Sequence, residues 1–530
     1  MRKLFLALGL CLVGAWNANA QITLSKDVAV VPTESGQVRG YVHRGVYTYK
    51  GIPYAEANRF EAPHKPKAWS GVRSSLTYGP VAPLLTPTTQ VQDESEFVFD
   101  HSWGYTNEDC MRVNVWTPGI KDGKKRPVMF WIHGGGFTAG SAEELKSYDG
   151  ENLAKKGDVV VVSINHRLNI LGYLDLSAYG EKYKYSANNS VLDMKAALEW
   201  VKANIGQFGG DPSNVTIFGQ SGGGAKVNTL MAMPSAKGLF HKAINQSGAF
   251  RGSMLDKATT QAITAEVLKS LNISVDSLQK VPFATLASAG NKALQVVAAQ
   301  MKAAGKPVVG FGLSWGPSVD GDLLPYQLFS DEAMKLSKDV PLMIGTVKNE
   351  FMPSLMTNMA NATAEEVDAY IKKTFGAKAD AYKAAVKKAY PADTKPSDLM
   401  DVDTRFRPGA VVQANLKSAL NAAPVFMYLF TWQSPVMDGK YKSMHCFELP
   451  FCFNNIARCE NMTGGGKEAY ALADKVSQAW INFARVGNPN HKGLPTWPAY
   501  NAAATPTMHL DNTCEVKPQM DKELFELTAN

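Results

Sequence analysis

The chain has 530 residues, of which 45% are hydrophobic and 19% charged, and a formal net charge of +7 at pH 7. That is enough apolar sequence for a large buried core, and the composition excludes a disordered or collagen-like chain. There is no internal repeat of the solenoid kind, no zinc-finger spacing and no basic stripe interleaved with aromatics, so nucleic acid is not an expected partner.

Residues 1–20 stand apart. Arg2 and Lys3, the apolar run from Leu4 to Trp16 and the small-x-small triplet Ala18-Asn19-Ala20 predict a secretory signal peptide, with Gln21 as the mature N-terminus. The apolar run is short for a membrane anchor, and no later segment is apolar enough to span a bilayer. Loss of Arg2 and Lys3 takes the charge from +7 to +5, a modest value for this size. An exported protein, periplasmic or extracellular, is expected. The cysteines then remaining are Cys110, Cys446, Cys452, Cys459 and Cys514, an odd set that leaves at least one without a partner in the chain. His445 beside Cys446, with Cys452 and Cys459 downstream, fits no zinc spacing, so neither metal nor cofactor is expected.

From Val28 to Lys50 the pattern alternates between turn residues, as small antiparallel strands do. A proline-rich loop stretch follows. Val128 to Ile132 and Val159 to Ile164 are buried-strand runs, and Val191 to Ile205 has helical spacing around Leu192, Leu198 and Val201. Val215 to Phe218 reads as a buried strand, followed by an apolar-periodic helix that ends at Pro234; Lys242 to Gln246 is the next strand. Helical regions are expected between about Leu255 and Lys306 and from Ala364 to Ala423, with strands at Leu342–Gly345 and Val425–Trp432. An amphipathic helix is expected at Ala469–Ala484. Strands alternating with helices predict an α/β fold with a mostly parallel sheet, its inserted helices covering the edge where ligands bind. No linker divides the chain, so residues 21–530 are expected to form one domain.

The chemistry concentrates in three places. Gly219-Gln220-Ser221-Gly222-Gly223 joins the Val215–Phe218 strand to a helix. A serine on so tight a turn has its hydroxyl lifted into a cleft above a helix N-terminus, which favours developing negative charge. Met129 to Ile132 runs through His133 into Gly134-Gly135-Gly136, and glycine is what lets backbone N–H groups face a substrate oxygen without a side chain between. A serine nucleophile also needs a base and an acid to orient the base. Of the later histidines, His491 lies in a polar turn and His509 in a short strand, whereas His445 opens a loop after a strand. Glu350 closes the Leu342–Glu350 segment; by spacing alone it is equally a surface glutamate, and Asp320, Asp322 and Asp401 also lie between Ser221 and His445.

Taken together, these segments resemble type-B carboxylesterases, a family that includes cholinesterases and bacterial para-nitrobenzyl esterases. Besides the stretches above, the resemblance rests on Tyr49-Lys-Gly-Ile-Pro-Tyr-Ala-Glu56, on Glu108-Asp-Cys-Met-Arg-Val-Asn-Val-Trp-Thr-Pro118 and on Phe208 to Gly223, and also on Ala243 to Gly248 and Trp480 to Ala484. It covers nearly the whole mature chain. It implies an α/β-hydrolase fold, with Ser221 as nucleophile, Glu350 as acid and His445 as base. Gly135, Gly136 and Gly222 would supply the oxyanion hole, and Ser247 would lie behind the acid and base, a position equally suited to a plain core serine. Gln220 stands where the family commonly has glutamate, and Cys110 has no partner between Gln21 and Asp109; both disfavour choline esters. Gln220, Phe137, Phe351 and Met352 would line the pocket. The stripe Phe351, Met352, Leu355, Met356 and Met359 has helical spacing, which also suits plain core, but as pocket wall it would suit varied apolar acyl groups.

The reading is an exported serine esterase acting on small, uncharged carboxylic esters. A feruloyl-type or carbamate hydrolase on the same scaffold stays open. From another class, the alternative is a non-catalytic, cholinesterase-like adhesion protein, against which Ser221, Glu350 and His445 all stand.

Overall fold

The structure, a computed structural model, describes residues 21–85, 93–249, 254–308 and 312–529. The segment read as a signal peptide lies outside the described residues. In chain order the strands are Ile22–Thr23 (β1), Val30–Thr33 (β2), Gly36–Arg39 (β3), Tyr41–His43 (β4), Val46–Pro53 (β5), Val72–Ser74 (β6), Arg112–Thr117 (β7) and Arg126–Ile132 (β8). They continue with Val160–Asn165 (β9), Gly210–Gln220 (β10), Lys242–Gln246 (β11), Leu342–Val347 (β12), Val425–Phe430 (β13), Thr507–Leu510 (β14) and Glu515–Lys517 (β15).

Twelve of these strands form one sheet in the order β1-β4-β5-β7-β9-β8-β10-β11-β12-β13-β14-β15, and β2, β3 and β6 form a small second sheet. From β9 to β14 every neighbouring pair is parallel, and the antiparallel pairs sit on the two flanks. The long strands β8, β9, β12 and β13 are buried along their whole length. That is why they read as continuous apolar runs and not as alternating ones: helices cover both faces. The two faces still divide the side chains by the strand period of two. Val128, Phe130 and Ile132 pack into one core with Ile217 and Ile344, while Met129 and Trp131 pack into the other with Phe218 and Met343. Each such side chain contributes roughly 1.5–3 kcal/mol by leaving water.

The helix Lys467–Val486 shows how sequence pattern places an element. Leu472, Ala473, Val476, Trp480 and Phe483 share its buried stripe, and Gly487, at φ 75°, ends it in the left-handed conformation. It packs into the second core, whereas Asn189–Asn204 packs into the first. The expected helical insertions are Lys257–Leu271 and Phe283–Ala303, then Ala364–Phe375, Ala379–Ala389 and Arg407–Ala419. Two features close to the site differ from the sequence expectation. The elbow strand begins earlier, at Gly210, with a register shift before Val215. The apolar stripe after Glu350 is not one helix: only Pro353–Met356 is helical, because Pro353 opens a fresh turn.

Candidate active site

Every segment singled out by its chemistry emerges at the carboxyl end of a parallel strand: the glycine triplet after β8, Ser221 after β10, Ser247 after β11, Glu350 after β12 and His445 after β13. In open α/β sheets this is the edge where ligands bind.

Ser221 links β10 directly to the helix Gly222–Met231 and adopts φ 57°, ψ −125°, outside the ordinary regions for a residue with a side chain. Strain of this kind costs roughly 1–3 kcal/mol and persists only when the surroundings hold it. Here they do: Ser221 N–H donates to Gln246 O at 2.8 Å, and Ser221 O accepts from Ala225 N at 3.0 Å. A Cβ on Gly222 would lie 2.3 Å from Gly136 N, and one on Gly223 would lie 2.0 Å from Ile132 O. The two loops therefore touch through bare backbone, which only glycine permits.

Gly135 (φ 78°) and Gly136 (φ 60°) turn the other loop. Gly135 O is tied down by Ala139 N at 3.0 Å, and Asn169 N–H holds Phe137 O at 2.9 Å. The N–H groups of Gly135, Gly136 and Gly222 have no protein acceptor among the described residues. Three unused donors in a half-open site, next to a strained serine, suit an oxygen that becomes negative. Phe137 closes one side, its ring edge-on to Tyr173 at 5.7 Å.

The loops carrying Glu350 and His445 are stitched together through backbone. Asn349 N donates to Ser443 O at 3.1 Å, and His445 N donates to Glu350 O at 3.1 Å. His445 Nδ1 is hydrogen-bonded to Glu350 Oε2, and Glu350 Oε1 accepts Val347 N–H at 3.2 Å. Both residues are buried. Burial pushes the Glu350 carboxyl up, opposed by Ser247 and by the Val347 N–H. Burial also pushes the His445 imidazole below its ordinary value, opposed by the charges of Glu448 and Asp403. With the carboxylate on Nδ1, the proton of neutral His445 belongs there and Nε2 is free to accept. Ser247 Oγ is buried without a hydrogen-bond partner among the described residues, yet it lies near enough to Glu350 to favour the ionised form.

Gln220 lies against the imidazole. Its Nε2 is 3.3 Å from both Nδ1 and Nε2 of His445, and an atom equidistant from the two at that range sits over the ring face, since in the ring plane it would collide with the carbon between them. The orientation is set by Cys446, at φ 74°, whose thiol donates to Gln220 Oε1 at 3.2 Å. This contact brings the Ser221 turn up to His445. Ser221 Oγ itself makes no hydrogen bond among the described residues; such bonds often tighten only around substrate. On the far side Phe351 lies over His445 at 4.5 Å between centroids and against Phe406 at 5.6 Å. Phe351 is 42% exposed, Met352 is buried at 2%, and Met356 is 71% exposed, so the expected methionine wall does not assemble as a continuous face.

The rival acids are occupied elsewhere. Asp401 accepts Ser354 N at 3.0 Å, Ser354 Oγ and the Lys442 ammonium at 2.7 Å. Asp320 takes Leu324 N–H and Asp322 N–H, and Asp322 pairs with Lys184. His491 bonds Lys475 O at 2.9 Å. Cys110, Cys446, Cys452, Cys459 and Cys514 are all free. Among the described residues no group of three or more histidine, cysteine or acidic side chains is placed to hold a metal ion, and no helix is long and apolar enough to cross a membrane. Sequence reasoning passed over Cys446 at its left-handed position, Phe406 and the buried Lys226. For Lys226 a signal existed: a lysine inside an otherwise apolar, glycine-rich helix start.

A parallel sheet with a strained serine at the carboxyl end of a middle strand, and a glutamate and a histidine paired from the ends of the second and third strands beyond it, defines an α/β-hydrolase fold. The sequence profile of the Carboxylesterase family matches residues 27–528. The para-nitrobenzyl esterase of Bacillus subtilis (strain 168) is 37% identical over 506 residues, covering 93% of this chain and 97% of that protein. Phenmedipham hydrolase of Pseudarthrobacter oxydans is 31% identical, covering 89% and 93%. A solved esterase from Clostridium hathewayi, described as able to hydrolyse aliphatic aromatic polyesters, superposes with a TM-score of 0.83 at 38% identity, covering 95% of this chain and 98% of its own. The chain belongs to the carboxylesterase family and is a carboxylic-ester hydrolase.

Proposed function

We propose that Ser221, His445 and Glu350 form a catalytic triad that hydrolyses small, uncharged carboxylic esters through an acyl-serine intermediate. The observation that carries this is the Glu350–His445 hydrogen bond, set against the Gln220–Ser221 turn, whose Gly222 packs on the glycine loop with its unused backbone donors. In this mechanism His445 Nε2 takes the Ser221 hydroxyl proton as Oγ bonds to the ester carbon. The carbonyl electron pair moves onto oxygen, where the N–H groups of Gly135, Gly136 and Gly222 receive it. Collapse breaks the bond to the alcohol oxygen, which leaves with the proton from His445. Water then repeats the sequence on the acyl-serine, releasing acid and restoring Ser221.

Two features bear on substrate. Gln220 brings no negative charge to the site, which argues against cationic alcohols. Phe351, partly exposed beside His445, puts an aromatic ring at the edge of the site, which is compatible with esters carrying an aromatic group. The relatives' names fit this: para-nitrobenzyl esters, phenmedipham and aliphatic aromatic polyesters. Export rests on the leader-like residues 1–20. The deciding experiment is fluorophosphonate labelling with peptide mapping, alongside a panel of alkyl, aryl, hydroxycinnamoyl and carbamate substrates. The adduct should fall on Ser221, and Ser221→Ala should abolish turnover of every substrate; an adduct elsewhere, or an active Ser221→Ala, overturns the mechanism.

A further inference from the structure

Lys226 is fully buried, one turn into the helix that Ser221 caps. Its Nζ donates to two successive carbonyl oxygens of the glycine loop, His133 O at 3.0 Å and Gly134 O at 3.3 Å. Gly134 O has a second partner, His133 Nδ1 at 3.0 Å; because a carbonyl only accepts, Nδ1 carries the proton. His133 is itself buried and stacked on His166 at 5.0 Å, and His166 Nδ1 is paired with Ser190 Oγ at 2.8 Å. No carboxylate lies within ion-pair reach of Lys226 among the described residues; Glu144 is the acid that acts on it through space. Burial lowers its pKa to about 7, and the same burial holds His133 and His166 neutral.

An uncompensated buried ammonium is costly, and a methionine of similar length would fill the space without that cost. What the ammonium does here follows from the peptide it holds. In a trans peptide the C=O and N–H point in opposite directions. Donors fixed on Gly134 O therefore fix the direction of Gly135 N–H, and below about pH 7, where the ammonium form prevails, the charge beside that oxygen also draws electrons from the nitrogen and makes the N–H a stronger donor. We propose that Lys226, acting through the Gly134–Gly135 peptide with His133 as its partner, is a positioning residue that orients and polarises the Gly135 N–H toward the oxyanion of the tetrahedral intermediate. This rests on the proposed role of Gly135. It also explains why a lysine sits on the one helix that already carries the nucleophile: helix and loop are locked to each other at the points where charge develops.

The test uses the full mature chain and compares Lys226→Met with Lys226→Gln. The first removes charge and donor; the second keeps a donor without charge. Lys226→Met is expected to lower kcat for a phenyl ester by at least about tenfold, a fraction of the loss seen when an oxyanion donor is deleted. KM should stay within about twofold, since the ground-state carbonyl gains little from the loop. Affinity for a trifluoromethyl ketone, which forms an anionic adduct on the serine, should fall by the same factor as kcat/KM. Lys226→Gln should fall between. The melting temperature should hold or rise, because a buried charge is gone. A Lys226→Met enzyme that folds and keeps kcat and ketone affinity within about twofold overturns the proposal. A loss that tracks a drop in melting temperature, with kcat of the folded fraction unchanged, overturns it as well; if Lys226→Met does not fold, the same readouts on Lys226→Gln decide. Ser221→Ala separates the two levels: if it is inactive while Lys226→Met is normal, only the lysine's role fails; if Ser221→Ala is active, the triad fails first.

Discussion

Replacing Glu350 by glutamine tests the acid with the smallest change of shape. In the native site the two carboxylate oxygens do different things: Oε1 accepts Val347 N–H at 3.2 Å, and Oε2 faces His445 Nδ1. A glutamine has one acceptor. Val347 N–H can use only an acceptor, so the amide oxygen is drawn to it and the NH2 group is left facing His445. Nδ1 must then accept, which moves the ring proton to Nε2, the nitrogen that takes the serine proton in the proposed mechanism. The carboxylate that would steady the imidazolium is also lost. In another serine hydrolase, the corresponding carboxylate-to-amide change lowers kcat about 10⁴-fold, or about 5.4 kcal/mol of transition-state stabilisation. The same is expected here, with KM little changed and a melting temperature within a few degrees of the parent, because a buried carboxyl becomes a neutral group of equal size. Steady-state kinetics on a para-nitrophenyl ester and a thermal melt measure both. A folded Glu350→Gln enzyme within about tenfold of the parent kcat would refute the role of Glu350 and the tautomer argument with it.

Asp401→Asn makes the contrasting prediction. It takes one of two carboxylates from the buried Lys442, which keeps Asp398, and weakens the hold on Ser354, so it should cost roughly 1–3 kcal/mol of stability. The kcat of whatever remains folded should be close to normal; a stable, inactive variant would contradict this. Gly136→Val should fold yet lose about 10²–10³ in kcat. A Cβ there meets nothing closer than 3.8 Å, so the cost comes from φ 60°, which a β-branched residue cannot hold without swinging the N–H aside. An unchanged kcat would make the triplet a plain turn. Burial lowers the pKa of His445 from its ordinary 6.5, and only neutral imidazole can accept the serine proton. The acid limb of kcat/KM should therefore have its midpoint below pH 6.5, with activity lost as pH falls through it; a midpoint above that value would show that the opposing charges of Glu448 and Asp403 outweigh burial.

What the sequence alone determined is the set of features that short-range physics controls. A β-branched run, then glycines at positions that no Cβ can occupy, marks the turn at Ser221 wherever the rest of the chain goes. The apolar runs Val128–Ile132, Val159–Ile164 and Leu342–Gly345 announce buried parallel strands for the same reason. Arg112–Thr117 is a strand that its sequence does not announce, because its polar residues disguise it: Asn114 is buried, but its side chain is satisfied by Gly51 N and Ser163 Oγ, neighbours that only the assembled sheet supplies. The choice among acids was likewise out of reach of spacing. Glu350, Asp320 and Asp401 all precede His445, and 95 residues separate Glu350 from the imidazole it meets. What decides is which carboxylate the order of strands leaves unpaired beside the histidine loop, and the Lys442 and Ser354 contacts take Asp401 out of contention. Gln220 over the ring face and Lys226 behind the glycine loop belong to the same class. Each is a local residue whose role is set by a partner brought from another strand, and so by a packing arrangement that no stretch of the chain contains by itself.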